Sequence, residues 1–85
     1  MNRWYVYILQ CADHSLYTGT TTDPDRRLHE HNHDDRLGAA YTRGRRPVCL
    51  LYKESCPDRS AALRRERAIR KLRREEKLLL AGYGQ

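Results

Sequence analysis

The segment SLYTGTTTDPDRRLHEHN, Ser15 to Asn32, gathers one tyrosine, two adjacent arginines and two histidines into a short run of chain. A planar guanidinium binds phosphate oxygens through paired N–H groups, so Arg26 or Arg27 could hold a scissile phosphate and offset the charge that grows in its transition state. Consecutive helical residues point in different directions. Only one of the two can face a given site, and the other is expected to be solvated or to touch backbone. His31 lies four residues beyond Arg27 and shares its face, placing a proton acceptor beside a phosphate-binding group. His29, His31 and His33 alternate, and positions two apart on a helix diverge by about 200°, too far to share a metal. His29 and His33 are four apart and could share one, but no cysteine or carboxylate completes a set with them.

Glu66 carries a second kind of chemistry. Its helical neighbours are Ala62, Leu63 and Ile69, so its carboxylate projects among apolar side chains, where it requires a partner or a metal ion. The competing reading is an ion pair with Arg70, one turn on. The tyrosines divide by role. Tyr5 and Tyr52 read as core residues with a polar tip. A tyrosine that acts as a base must first lose a proton with a pKa of about 10, which a neighbouring cation assists; Arg27 and an ion at Glu66 would supply that field.

Two short runs rich in β-branched and aromatic residues, WYVYILQC (Trp4 to Cys11) and SLYTGT (Ser15 to Thr20), predict a β-hairpin. An odd-length loop, which CADHS suits, pairs odd positions with odd and puts Tyr5, Tyr7 and Tyr17 on one face. TDPDRRLHEHN predicts a helix of about ten residues to roughly His33, with Thr22 or Asp23 as N-cap and Pro24 in the first turn. Asp34 to Arg46 reads as a loop. PVCLLYKE (Pro47 to Glu54) is a third strand, apolar enough to be central or buried on both faces. Asp58 or Ser60 caps a last helix running toward Leu80, with a break expected near Leu72 to Arg74. The order β-β-α-β-α predicts an α+β domain.

These elements belong to a chain of 85 residues, short enough for a single domain spanning 1–85. Its net charge of +6 is carried entirely by Arg59 to Lys77, where nine basic residues face three acidic ones. That is the footprint of a surface that meets a polyanion. Cys11, Cys49 and Cys56 are odd in number and share no paired spacing, which argues against a disulfide framework and for a reducing cytoplasm. No apolar run approaches the roughly 20 residues needed to cross a bilayer, and the start MNRWYVYILQ lacks a signal peptide's cleavage region, so no membrane partner is expected.

YVYIL (Tyr5 to Leu9), YTG (Tyr17 to Gly19), RRLHEHN (Arg26 to Asn32) and a glutamate in a later helix resemble the GIY-YIG nuclease superfamily. The WYVYIL start, YTG, YTRGRRPV and the AxxxE ending at Glu66 resemble its small stand-alone bacterial branch, the UPF0213 proteins. The resemblance covers essentially the whole chain and implies a three-stranded antiparallel sheet flanked by helices. It further implies hydrolysis of phosphodiester bonds with one Mg2+ or Mn2+ ion. By position, Tyr7 and Tyr17 match the motif tyrosines, Gly19 the motif glycine, Arg27 the catalytic arginine, His31 the histidine four residues later and Glu66 the metal-binding glutamate. The first triplet departs from the motif as Tyr5-Val6-Tyr7, and no asparagine follows Asn32.

The function expected on this reading is a metal-dependent DNA endonuclease, with a family-level expectation of repair, recombination or uptake. Single-stranded or branched DNA is the favoured partner; all such forms present the same backbone, and a chain this short has no spare domain for reading bases. Tyr7 is the first choice as general base, Tyr17 positions, and His31 is a rival proton acceptor. Arg26, Arg43, Arg45, Arg46, Arg65 and Arg70 are expected to grip the strand, and Tyr41 to pack its loop or stack a base. The alternatives are a non-catalytic nucleic-acid-binding module and an adaptor that docks through the tail LLLAGYGQ.

Overall fold

The strand WYVYILQ (β1, Trp4–Gln10) has four consecutive buried residues, Val6 to Leu9, and this alone dictates a central position covered on both faces. The structure, a computed structural model that describes residues 3–82, places it there. β1 pairs antiparallel with β2 (Leu16–Thr21) on one side and β3 (Cys49–Cys56) on the other, giving the order β2-β1-β3. The hairpin register is odd with odd, Tyr7 opposite Gly19 and Leu9 opposite Tyr17, across the five-residue connection CADHS. The parity read from the sequence holds.

Side chains alternate across a strand, so β1 feeds two cores. Val6 and Ile8 pack with Cys56, Ala62 and Ile69, the last two from helix α3 (Arg59–Arg70). Tyr7 and Leu9 pack with Cys11, Val48 and Leu28 on the opposite face, under helix α1 (Pro24–His33). α1 begins as its sequence predicts: Asp23 caps it by accepting from the Arg26 N–H at 3.1 Å, and Pro24 fills the first turn. Asp58 caps α3 in the same way, accepting from Ala61 N–H at 2.8 Å. The chain breaks at residues 71–73 and resumes as helix α4 (Arg74–Leu80), whose Glu76 accepts from the Arg73 N–H at 2.9 Å.

Two expectations are corrected. β3 is an edge strand and not central, and it starts two residues late. Its apolar run Leu50-Leu51-Tyr52 reflects a register shift against β1 between Ile8 and Leu9, which sends Leu50 to one core and Leu51 and Tyr52 to the other. The loop Asp34 to Arg46 holds a one-turn helix, α2 (Ala40–Arg43), whose Thr42 is fully buried. Asn32 pins this loop to the start of β3 by bonding both main-chain groups of Val48, at 2.7 and 2.9 Å. Among the described residues no helix is long and apolar enough to cross a membrane.

Candidate active site

The α1 face of the sheet brings four of the sequence-predicted residues together. Tyr7, from β1, is 2 % exposed, and its hydroxyl lies 2.9 Å from Nε2 of the fully buried His31. Tyr17 joins them from β2, its ring centroid 5.2 Å from that of His31 and 6.4 Å from that of Tyr7. Arg27, four residues before His31, has its guanidinium fixed through Nη1 to Glu30 Oε1 at 2.9 Å and to the Leu37 carbonyl. Arg26 points outward and reaches Glu30 at 3.6 Å, so the division of labour expected of two adjacent helical arginines is present.

Burial governs the electrostatics. It pushes the Tyr7 hydroxyl up to about 12, with Tyr17 adding to the rise and Arg27 opposing it. Arg27 therefore acts in the direction expected for a phenolate-forming site, but desolvation outweighs it. The same burial, aided by the Arg27 charge, lowers His31 to about 4. A neutral imidazole beside a protonated phenol is the resting state.

The His31 shift carries a stability consequence. Unfolded, the ring titrates near 6.5; folded, near 4. The unfolded chain binds the proton first, so stability present above 6.5 is lost as pH falls toward 4, by about 3 kcal/mol at most. Urea unfolding at pH 7 and pH 4.5 is expected to show most of this loss, and His31→Gln to flatten it. Carboxylates with lowered pKa such as Glu54 hold their stabilisation above about 4.5 and add to the loss as pH falls through that value.

Gly19 is required by proximity. A Cβ there would lie 2.6 Å from the Tyr7 hydroxyl oxygen and 2.7 Å from its Cζ, with Tyr17 at 3.2 Å. Gly19→Ala must displace Tyr7 from His31. The expected cost is about 1–3 kcal/mol in a denaturant titration, together with loss of any activity that needs the pair. Adding Tyr7→Phe recovers only part of the stability, because the ring carbon still collides.

Glu66 approaches from α3, on the other side of the sheet. Its charge is felt at Tyr7. Its carboxylate pairs with Arg70 at 2.8 Å, and the same Arg70 nitrogen donates to the Thr18 carbonyl at 3.1 Å. The ion pair weighed in the sequence is thus present. The Arg70 guanidinium lies between a carboxylate and a carbonyl oxygen, the hard donors that Mg2+ and Mn2+ prefer. The Glu66 side chain is 14 % exposed and Arg70 56 %. No cluster of three or more His, Cys, Asp or Glu side chains exists among the described residues, and His29 and His33 stand side by side at 4.7 Å without a third partner.

The remaining arginines are more engaged with the protein than their sequence suggests. Arg46 donates to the His31 carbonyl at 2.6 Å, to Asp35 at 2.8 Å and to the Asp34 carbonyl at 3.2 Å, clamping the end of α1. Arg45 bonds Asp13 and lies 3.9 Å over the ring of Tyr41, which stacks on Tyr17. Tyr41, 39 % exposed, packs between these two neighbours. Arg43 donates to the Asp35 carbonyl and Arg65 to Glu54 at 2.7 Å. A cleft of about 290 Å³ opens beside Tyr17, lined also by Leu16, Thr18, Tyr41, Arg70 and Lys77. Two residues escaped the sequence reading. Glu30, which orients Arg27, was signalled by its three-residue spacing. Thr42, whose Oγ1 is 2.8 Å from His31 Nδ1, had no local signal.

A family model described as the GIY-YIG catalytic domain matches residues 3–78. A UPF0213 protein of Desulfotalea psychrophila is 59% identical over 69 residues, covering 81% of this chain; the chain spans 62% of that relative's length. A UPF0213 protein of Haloquadratum walsbyi is 55% identical over 80 residues, or 94% of this chain and 88% of the relative. Two solution NMR structures are similar: a UPF0213 protein from Bacillus halodurans (45% identity, TM-score 0.58, 96% of this chain and 84% of that one) and a protein from E. faecalis (41%, 0.63, 98% and 88%).

Proposed function

The chain belongs to the GIY-YIG family of catalytic domains, and from that premise we propose that it is a divalent-metal-dependent DNA endonuclease. The observation that carries the reading is the buried Tyr7–His31 hydrogen bond, set beside an arginine oriented by Glu30. A phenol that is hard to ionise alone is given an acceptor for its proton.

In the proposed reaction, a water oxygen attacks phosphorus while its proton passes to the Tyr7 oxygen and the Tyr7 proton passes to His31 Nε2. The bond from phosphorus to the leaving oxygen breaks with its electron pair, that oxygen takes a proton from solvent, and His31 returns its proton to solvent by way of Tyr7. Arg27 offsets charge on the non-bridging oxygens through the part of its fork that Glu30 and Leu37 leave open. Tyr17 orients the water and the phosphate. Glu66 would hold the metal, with the Thr18 carbonyl nearby, and the ion would supply Lewis acidity toward the phosphate. Arg26, Arg43, Arg45, Arg65 and Arg70 contact the backbone of a single-stranded or branched DNA, while Arg46 serves chiefly as the clamp on α1.

A second reading, a nucleic-acid-binding module of the same fold that cleaves nothing, is favoured by one observation: Arg70 neutralises Glu66. The decisive experiment incubates the protein with labelled single-stranded, duplex and branched DNA in magnesium, manganese or chelator. Cleavage that chelator abolishes supports the nuclease; binding with no product from any substrate leaves the module. The tail proposed as an adaptor contact runs beyond the described residues at Tyr83.

A further inference from the structure

Thr42 takes no part in the reaction above, yet it is 0 % exposed and sits at the end of a continuous buried chain of polar groups. Tyr7 Oη lies 2.9 Å from His31 Nε2, His31 Nδ1 lies 2.8 Å from Thr42 Oγ1, and Thr42 Oγ1 lies 3.0 Å from the Ala39 carbonyl oxygen. Donor counting gives the chain one direction, with the Ala39 carbonyl also accepting from the Thr42 and Arg43 N–H groups at 3.1 Å. A carbonyl only accepts, so the single hydroxyl hydrogen of Thr42 goes to Ala39, and Oγ1 is left to accept from Nδ1–H. A neutral imidazole carries one N–H, so Nε2 bears the lone pair and accepts from the Tyr7 hydroxyl. The reverse chain fails at both ends. It would set two oxygen lone pairs against each other 3.0 Å apart at Thr42 and Ala39, and it would leave the Tyr7 hydrogen without an acceptor, since His31 is its hydrogen-bond partner.

From this geometry we infer that Thr42 is a positioning residue that selects the Nδ1–H tautomer of His31 and so keeps Nε2 open to the Tyr7 proton. The inference rests on the nuclease reading for its purpose but not for its structural content. α2 is a single turn, and Thr42 is its only buried residue.

The test is nitrogen-15 NMR of the His31 ring at neutral pH in the intact protein, in wild type, Thr42→Ser and Thr42→Val, with DNA cleavage measured in parallel. Wild type is expected to show the proton on Nδ1. Thr42→Ser keeps the hydroxyl and should keep both the tautomer and the turnover. Thr42→Val is nearly the same shape but offers Nδ1–H no acceptor, so the proton should move to Nε2, with turnover falling at least ~10-fold. A wild-type ring protonated on Nε2 overturns the inference whatever Thr42→Val does to folding. So does a folded Thr42→Val protein with an unmoved proton and full turnover. A wild type that cleaves no DNA but shows Nδ1–H removes the nuclease reading and leaves the tautomer assignment standing.

Discussion

Glu66→Gln is expected to lower metal-dependent cleavage by roughly 10³-fold or more while DNA affinity holds or rises slightly. The substitution keeps the shape of the side chain and removes the charge a divalent cation needs. The same charge opposes the phosphate backbone, so its removal does not weaken binding. Arg70 sharpens the result, because its guanidinium now occupies the place between Glu66 and the Thr18 carbonyl. Manganese binding to DNA-free protein, followed by calorimetry, should be weak in wild type, tighter in Arg70→Gln and absent in Glu66→Gln. Cleavage that survives Glu66→Gln within a few-fold would take the ion away from this carboxylate. If no variant binds manganese and none cleaves, the non-catalytic module is the better account.

The parts of the fold that were legible in the sequence are those whose signals are local. The parity of the hairpin follows from an odd-length loop and the two-residue period of a strand, and it places Tyr7 and Tyr17 on one face. Asp23-Pro24 and Asp58 announced helix starts because capping chemistry lies within four residues of chain. The i, i+4 relation of Arg27 to His31 was equally local. What could not be read depends on partners far apart in sequence. β3 reads as central because the apolar run within PVCLLYKE usually means two covered faces; a register shift against β1 accommodates that run in an edge strand. The inward engagement of Arg46 depends on carbonyls at His31 and Asp34, and no composition argument distinguishes it from a solvated arginine. Thr42 belongs to the same class. Its partner is eleven residues away across a loop whose own conformation is set by Asn32 and Val48.

Tyr7→Phe is expected to reduce turnover by ~10²–10⁴-fold, the range for loss of a positioned proton-transfer group, with little change in DNA affinity. The pH profile identifies the step being lost. With its hydroxyl pushed up to about 12, a Tyr7 that had to ionise into bulk water before attack would give a rate rising about tenfold per pH unit across the whole neutral range. A Tyr7 that passes its proton to His31 during attack needs only a neutral imidazole, and His31 is neutral down to about 4. Turnover should then be level from about pH 6 to 8 and fall only where His31 protonates, once the acid loss of stability is accounted for by measuring the folded fraction at each pH. Tyr17→Phe supplies the comparison. Its ring packs against His31 and Tyr41 and stays in place without the hydroxyl, so its loss should be smaller and its profile unchanged. Equal losses for the two phenylalanine variants, with a rate that climbs steadily with pH, would transfer the proton-accepting role from Tyr7 to Tyr17 and leave the buried histidine as packing alone.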